Sequence, residues 1–299
     1  MTIKKKKTGF VSLIGRTNVG KSTLLNKLLG QKISITSRRP QTTRQKQLGI
    51  KTIKENQIIF VDTPGYHTGH NRMLNKYMNR GSLSSIGGSD VILFIIEALK
   101  FNRTDRYLLE QVPKTIESLV LVINKVDKIL KKGDLLPFTK NLCDEFCFSD
   151  VIPISALKDS NTDKLEQIII QKLPFGEHSY PENQVADSPL RFLISEIIRE
   201  KCITRVGEEI PYRLTAVIDD YKEDENIINI YSTIYIEKES QKGIVIGKKG
   251  KKLKAIGTAA RKDMESILDK KVMLTLWVKV KKDWTDSKEA MGFMGYKIV

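Results

Sequence analysis

The sequence predicts an α/β fold: a doubly wound, mostly parallel sheet followed by a smaller α+β unit. Three observations carry this. Short apolar runs alternate with segments of helical periodicity up to about residue 173, the pattern of strands buried on both faces by crossover helices. Polar clusters follow those runs directly, at the carboxyl ends of the strands, where such sheets bind ligands. Beyond Pro174, Gly176, Pro181 and Pro189 the pattern changes to an amphipathic helix and alternating strands. The expected organisation is a basic tail over residues 1–7, a first domain over 8–173, a linker over 174–189 and a second domain over 190–299.

The first strand, residues 9–14, leads into Gly15-Arg16-Thr17-Asn18-Val19-Gly20-Lys21-Ser22-Thr23 and then a leucine-rich helix. Strand, G-x-x-x-x-G-K-S and helix together make a phosphate cradle. The glycines turn backbone N–H groups inward, Lys21 reaches the β and γ phosphates, and the Ser22 hydroxyl is offered to Mg²⁺. The helix start adds its positive dipole end. Residues 31–44 are polar, include Pro40 and show little periodicity, so a mobile loop is expected there, then an edge strand over 47–53. Buried strands are expected over 57–61, 91–96, 119–123 and 151–154, with helices near 71–86 and 162–173. In the second domain Leu190, Leu193, Ile194, Ile197 and Ile198 form one helix face. Strands over 213–220 and 227–237 flank an acidic turn. Residues 243–253 then lead into a helix ending near 268, a last strand over 272–280 and a short helix over 288–294.

A chain of 299 residues with 40% hydrophobic residues has room for about two cores. No apolar run approaches the ~20 residues of a membrane span. The start of the chain has no apolar leader, so a cytoplasmic protein is expected. Cys143, Cys147 and Cys202 show no pairing pattern, which suggests reduced thiols. Cys143 and Cys147, four apart in an expected helix, are assigned to helix packing. The net charge of +16 points to a polyanionic partner. It is shared: 29 basic against 18 acidic residues up to Pro189, and 22 against 17 beyond.

The strand ends carry the rest of the chemistry. Asp62, in Asp62-Thr63-Pro64-Gly65, is placed to hold Mg²⁺ through water opposite Ser22. Gly65, lacking a Cβ, presents its N–H to a γ-phosphate. In Asn124-Lys125-Val126-Asp127, the Asp127 carboxylate accepts both N1–H and the exocyclic amine of guanine, a donor pair that adenine lacks. Asn124 pins the loops, and the Lys125 stem covers the ring. Ser155-Ala156-Leu157 closes over the guanine carbonyl with a backbone N–H.

In this order the pieces resemble a translation-factor-type GTPase, a P-loop fold, over about residues 7–173. The resemblance implies Mg²⁺-dependent hydrolysis of GTP to GDP. Gln41-Thr42-Thr43-Arg44 matches the first switch and residues 62–66 open the second. Thr43 is the favoured ligand of Mg²⁺ and γ-phosphate, with Thr42 the alternative. Lys21, Thr43 and Gly65 are the expected catalytic set. Tyr66 departs from Ras-like enzymes, which carry a water-orienting glutamine there, so slow intrinsic turnover is expected. Asn18 matches the asparagine of related GTPases that use K⁺ near the phosphates.

Residues 243–250, in the second domain, resemble a type II KH module. Gly247-Lys248-Lys249-Gly250 is the expected GxxG loop, through which a nucleic-acid backbone passes closely. Ile244, Val245 and Ile246 are expected to border an apolar groove for bases, and Lys248, Lys249, Lys251 and Lys252 to meet phosphates. Taken together the motifs resemble the Era family of bacterial ribosome-associated GTPases, nearly end to end. That resemblance implies binding near the 3′ end of small-subunit ribosomal RNA and help in assembling the 30S subunit. It also implies peripheral contact with the inner face of the membrane; Lys4 to Lys7 are candidates for it, with a disordered solubilising tail the favoured reading of that segment. A monomer is expected.

Overall fold

The computed structural model describes residues 6–37, 39, 41–66, 72–207 and 210–296. The tail up to Lys5 and Pro40 of the polar loop lie outside them. The chain divides into two compact units. One comprises Met1–Ser34, Thr43–His70 and Met78–Asp187; the other comprises Ile35–Thr42, Asn71–Tyr77 and Ser188–Val299.

The first unit is built on a six-stranded sheet: β1 (Lys7–Ile14), β2 (Gln47–Ile53), β3 (Asn56–Asp62), β4 (Val91–Glu97), β5 (Leu119–Asn124) and β6 (Asp150–Pro153), in the order β2-β3-β1-β4-β5-β6. Only β2 runs antiparallel, so the sheet is mostly parallel as expected. Helices α1 (Lys21–Leu29), α3 (Arg103–Glu110), α4 (Leu135–Glu145) and α5 (Thr162–Lys172) connect the strands, and α2 (Met73–Ser84) lies between β3 and β4. Strands β3, β4 and β5 hold continuous apolar runs because both faces are covered. Leu13, Leu93 and Val122 pack in one cluster with Leu24 and Leu25 of α1; Ile92, Phe94 and Leu121 pack in another with Leu108 of α3. Burying each such side chain stabilises the fold by about 1.5–3 kcal/mol. Asn102 caps α3 reciprocally with Asp105, and Gly30, at φ 73°, ends α1.

The stretch 174–189 is fastened along this sheet. Ile50 N donates to Val185 O (2.8 Å), and Gly49 and Ala186 form an antiparallel bridge. Gln57 Oε1 accepts from Ser179 N (2.9 Å) and Tyr180 N (3.0 Å). Its Nε2 donates to Tyr180 O at 2.8 Å.

The second unit holds a three-stranded sheet, β7 (Leu214–Glu223), β8 (Ile227–Ile236) and β9 (Lys271–Val280), in that order. Helices α6 (Leu190–Arg205), α7 (Glu239–Ile246), α8 (Lys251–Leu268) and α9 (Lys288–Phe293) complete it. Ile194, Ile198, Ile230, Ile234 and Met264 anchor its core. Helix α7 has no counterpart in the sequence reading: Gly243 and Ile244-Val245-Ile246 disfavour a helix locally. It forms because Gln241 Oε1 accepts from Glu237 N and Lys238 N (both 3.0 Å) and Val245 is wholly buried. Packing overrides propensity here.

The cysteine expectation needs correction. Cys143 and Cys147 are both exposed, the second beyond the end of α4, so neither is held by helix packing; Cys202 is buried. Among the described residues no helix is long and apolar enough to cross a membrane.

Candidate nucleotide and nucleic-acid sites

The loop between β1 and α1 is shaped by its neighbours. A Cβ on Gly15 would lie 2.4 Å from Ile95 O, and one on Gly20, at φ 101°, 2.4 Å from Asn124 Nδ2. Only glycine fits either position. Lys21 is buried and donates through Nζ to Gly15 O (2.8 Å) and Arg16 O (2.9 Å), so it already bends back over the loop. Burial pulls its pKa down to about 8, against the favourable field of Asp62.

Asp62 is fully buried at the end of β3. Its Oδ2 accepts from Ser22 Oγ (2.8 Å), Ser34 Oγ (2.8 Å) and Thr43 Oγ1 (3.4 Å), while Ser22 and Thr43 share a 2.7 Å contact. Oδ1 has no hydrogen-bond partner. Burial pushes this carboxyl up, opposed by Lys21 and the three hydroxyls. A buried, unpartnered carboxylate oxygen flanked by two further oxygen donors suits a hard divalent cation. Of the two candidate threonines only Thr43 reaches this cluster. Thr42 Oγ1 turns to Arg39 O (2.7 Å), and the Thr42 carbonyl accepts from Arg199 in the second unit. Ser34 was not anticipated. Asn26 holds it, with Oδ1 accepting from Ile33 N (3.0 Å) and Ser34 N (2.9 Å) and Nδ2 donating to Ser34 O (2.6 Å).

Asn124 joins three loops. Its Nδ2 donates to Val19 O (2.8 Å); its Oδ1 accepts from Ala156 N (3.0 Å) and Lys125 N (2.8 Å). Asp127 is exposed and its Oδ1 accepts from Ser155 Oγ, which orients the carboxylate. Lys125 Nζ donates to Asn18 O and pairs with Glu97 Oε2 at 2.6 Å, which lays its stem across the loop. Glu97, the last residue of β4, was also missed. Burial raises its pKa, but hydrogen bonds and ion pairs with Lys100 and Lys125 win and bring it down to about 2. Ser155 and Ala156 are buried and Leu157 is exposed.

Gly65 passes so close to the phosphate loop that a Cβ would lie 2.7 Å from Thr17 Cα. Thr63 Oγ1 donates to Leu13 O (2.7 Å), and Pro64 is buried behind it. Tyr66 is bridged to Arg16 through the backbone, and its ring lies 5.2 Å from that of Tyr107. Arg16 Nε in turn meets the buried Asp105 at 3.1 Å.

In the second unit Gly247 adopts φ 72°, and a Cβ there would lie 2.6 Å from Lys252 Cβ. Gly250 also has φ 72° and opens α8. Lys248, Lys249 and Lys251 are exposed, Lys252 is half-buried, and no described acid pairs with any of them. Beside the loop lies a cavity of about 400 Å³ walled by Leu253, Lys254 and Arg261 of α8 and by Leu274 and Leu276 of β9. Ile244 is exposed and Ile246 half-buried; Val245 is core and offers no surface to a ligand, contrary to the expectation that it borders the groove.

Two family models match the chain: a 50S ribosome-binding GTPase over residues 10–125 and a KH domain over residues 209–285. The GTPase Era of Ectopseudomonas mendocina (strain ymp) is 46% identical over 288 residues, 96% of this chain and 96% of that protein. The chain belongs to the Era family of GTPases. The GTPase Era of Pseudomonas aeruginosa (strain LESB58) is 45% identical over 96% of this chain and 94% of its own. An Era solved in complex with MgGDPNP and nucleotides 1506–1542 of 16S ribosomal RNA superposes with a TM-score of 0.94 at 40% identity, covering 98% of this chain and all of its own. A tyrosine-to-alanine variant of Aquifex aeolicus Era bound to GDP·AlF4⁻ gives 0.94 at 39%, with the same coverage.

Era membership makes the chain a GTPase followed by a KH domain. Asn102 and Asp105, three apart, announce a helix cap in the sequence. Nothing in the sequence announces Ser34 or Glu97, whose parts depend on which strand ends lie together.

Proposed function

We propose that this Era-family GTPase binds GTP with Mg²⁺ and hydrolyses it slowly, and that its KH domain binds small-subunit ribosomal RNA near the 3′ end during assembly of the 30S subunit. The single observation that carries the nucleotide reading is the Asp62 cluster, with its unpartnered Oδ1 beside Ser22 and Thr43 and a buried lysine at the phosphate loop. Mg²⁺ supplies charge neutralisation at the β and γ phosphates when bound. Ser22, Thr43 and Asp62 are the residues to hold it. Lys21 exchanges its two carbonyl partners for phosphate oxygens. The N–H of Gly65 faces the γ-phosphate. Asp127, held by Ser155, reads guanine while Asn124 keeps the base loop and phosphate loop in register. No side chain in this set is placed for covalent chemistry, so positioning and electrostatics carry hydrolysis. Tyr66, occupied with Tyr107, lacks the amide of a water-orienting residue, which supports slow intrinsic turnover. Asn18, exposed in the loop at φ 64°, is the proposed K⁺ ligand.

The RNA reading rests on the Gly247–Gly250 loop, its exposed lysines and the adjoining cavity, and on the RNA carried by the related Era structure. Phosphate contacts through Lys248, Lys249, Lys251 and Lys252 confer affinity and salt dependence. We place the domain boundaries at residues 8–173 and 190–299 and take the chain as a cytoplasmic monomer. Peripheral contact with the inner membrane face is part of this reading; of the tail lysines, Lys6 pairs with Glu177 and Lys7 donates to Ile170 O and Gln171 O.

The test is RNA affinity in three states: nucleotide-free, GDP-bound and bound to a non-hydrolysable GTP analogue. A switch requires tighter RNA binding with the analogue and, reciprocally, tighter analogue binding with RNA. Equal affinities with GDP and the analogue sink the switch; preference for ATP over GTP sinks the nucleotide assignment.

A further inference from the structure

The sheet of the second unit has a face that the proposed RNA groove does not use. Among the described residues strand β9 pairs only with β8 and forms an edge of that sheet. Its side chains alternate. Leu274 and Leu276 point into the cavity beside α8, whereas Lys271, Met273, Thr275, Trp277 and Lys279 stand on the opposite face. There Trp277 is 45% exposed and stacks on Tyr231 of β8, with ring centroids 5.9 Å apart and planes at 17°. Met273 is 56% exposed beside them. Lys271 and Lys279 are exposed at the two ends of the row, with no ion pair among the described residues, and the outward positions of β8 and β9 carry no acid. Acids bordering this face are engaged: Asp219 accepts from Thr233, Asp224 accepts from Asn229 of β8, and Asp220 pairs with Lys222.

A half-exposed indole is costly to leave in water. Flanked by lysines, it is the arrangement on which single-stranded nucleic acids stack. We infer that RNA leaving the Gly247–Gly250 groove crosses the edge of the sheet at β9 and stacks a base on the Trp277–Tyr231 pair, with Lys271 and Lys279 taking the phosphates on either side. The occupant is the same strand that fills the groove, because Leu274 and Leu276 wall the groove while Met273, Thr275 and Trp277 of the same strand face the platform. This inference rests on the RNA reading above. It adds a length requirement: a KH groove clamps about four nucleotides, and the platform engages only what extends beyond them.

The experiment uses the full chain and nucleotides 1506–1542 of 16S ribosomal RNA, together with truncations down to about four nucleotides. Trp284, the other tryptophan, is fully buried, so quenching of tryptophan emission on adding RNA reports on Trp277. The expected result is quenching by long RNA only. Trp277→Ala should weaken long RNA roughly tenfold and leave the shortest RNA unchanged, whereas Trp277→Phe, which retains a stacking face, should keep most of the affinity. Lys248→Glu with Lys249→Glu should weaken both lengths. Wild-type affinity of Trp277→Ala for long RNA, or no quenching, overturns the platform while the lysine pair still tests the groove. If the wild type binds neither length, the RNA reading itself falls. A concentration-dependent dimer that Trp277→Ala abolishes would assign the face to a second copy of the chain and overturn the proposal.

Discussion

Asn124→Ala is the sharpest test of how the nucleotide site is held. The side chain is 2% exposed and makes three hydrogen bonds, to Val19 O, Ala156 N and Lys125 N. Truncation strands the first two in buried surroundings. At ~1–3 kcal/mol for each unsatisfied buried group, the loss is about 2–6 kcal/mol. For a domain of this size each kcal/mol moves the melting temperature by about 2–4 °C, so a loss near 4 kcal/mol lowers it by about 8–16 °C. Guanine nucleotide affinity should fall as well, by roughly 10–100-fold, because the base loop and phosphate loop lose their shared tether. Asn124→Asp separates the parts. It keeps the acceptor for Ala156 N but sets a carboxylate oxygen against Val19 O, so at neutral pH it should be at least as damaging. The measurements are melting of the nucleotide-free protein and titration with fluorescent GDP. Melting within about 2 °C of wild type with affinity within about threefold would refute the tether.

Other outcomes can be stated briefly. Thr43→Ala should cut hydrolysis and Mg²⁺-dependent GTP affinity strongly, whereas Thr42→Ala should leave both near wild type; the reverse ranking would reassign the switch ligand. Lys21, at about 8 in the nucleotide-free protein, is raised by bound phosphate, so binding takes up a proton once the solution pH exceeds that value. GDP affinity should therefore be flat below pH 8 and fall by up to about tenfold per pH unit above it; a flat profile up to pH 10 contradicts the shift. Glu196→Gln strips the carboxylate from the fully buried Arg199 and should cost about 3–5 kcal/mol, read by denaturant unfolding. Replacing Na⁺ by K⁺ should speed hydrolysis in the wild type but not in Asn18→Ala, and equal rates in both salts would dismiss Asn18 as an ion ligand.

The central strands were legible because β3, β4 and β5 hold continuous apolar runs that end in polar residues. Residues 57–61, 91–96 and 119–123 could be read from composition alone, and all three lie within observed strands. Helix α7 was not legible. Its local preference is for a strand, and only burial of Val245 and the Gln241 cap reverse that. The candidate site divides in the same way. Lys21, Ser22, Asp62 and Asn124 follow from fixed spacing along the chain. Ser34 reaches Asp62 across 28 residues and Glu97 reaches Lys125 across 28, so neither contact has a local signature. The exposure of Cys143 and Cys147 was misjudged because helical spacing says which residues share a face, not which face is covered.

The fastening of residues 185–187 along β2 has a consequence for the nascent chain. Gly49 and Ala186 are neighbours in the sheet, yet about 137 residues of synthesis separate them. At ~5–20 residues per second the ribosome needs roughly 7–27 seconds to deliver the second after the first. Throughout that interval the outer edge of β2 has unpaired N–H and C=O groups, the template on which strands of other chains add. Closing that edge is among the last acts in the biogenesis of the first unit, and shortening the interval, by permuting the chain so that residues 174–187 precede β1, should raise the soluble yield without altering a single contact of the nucleotide site.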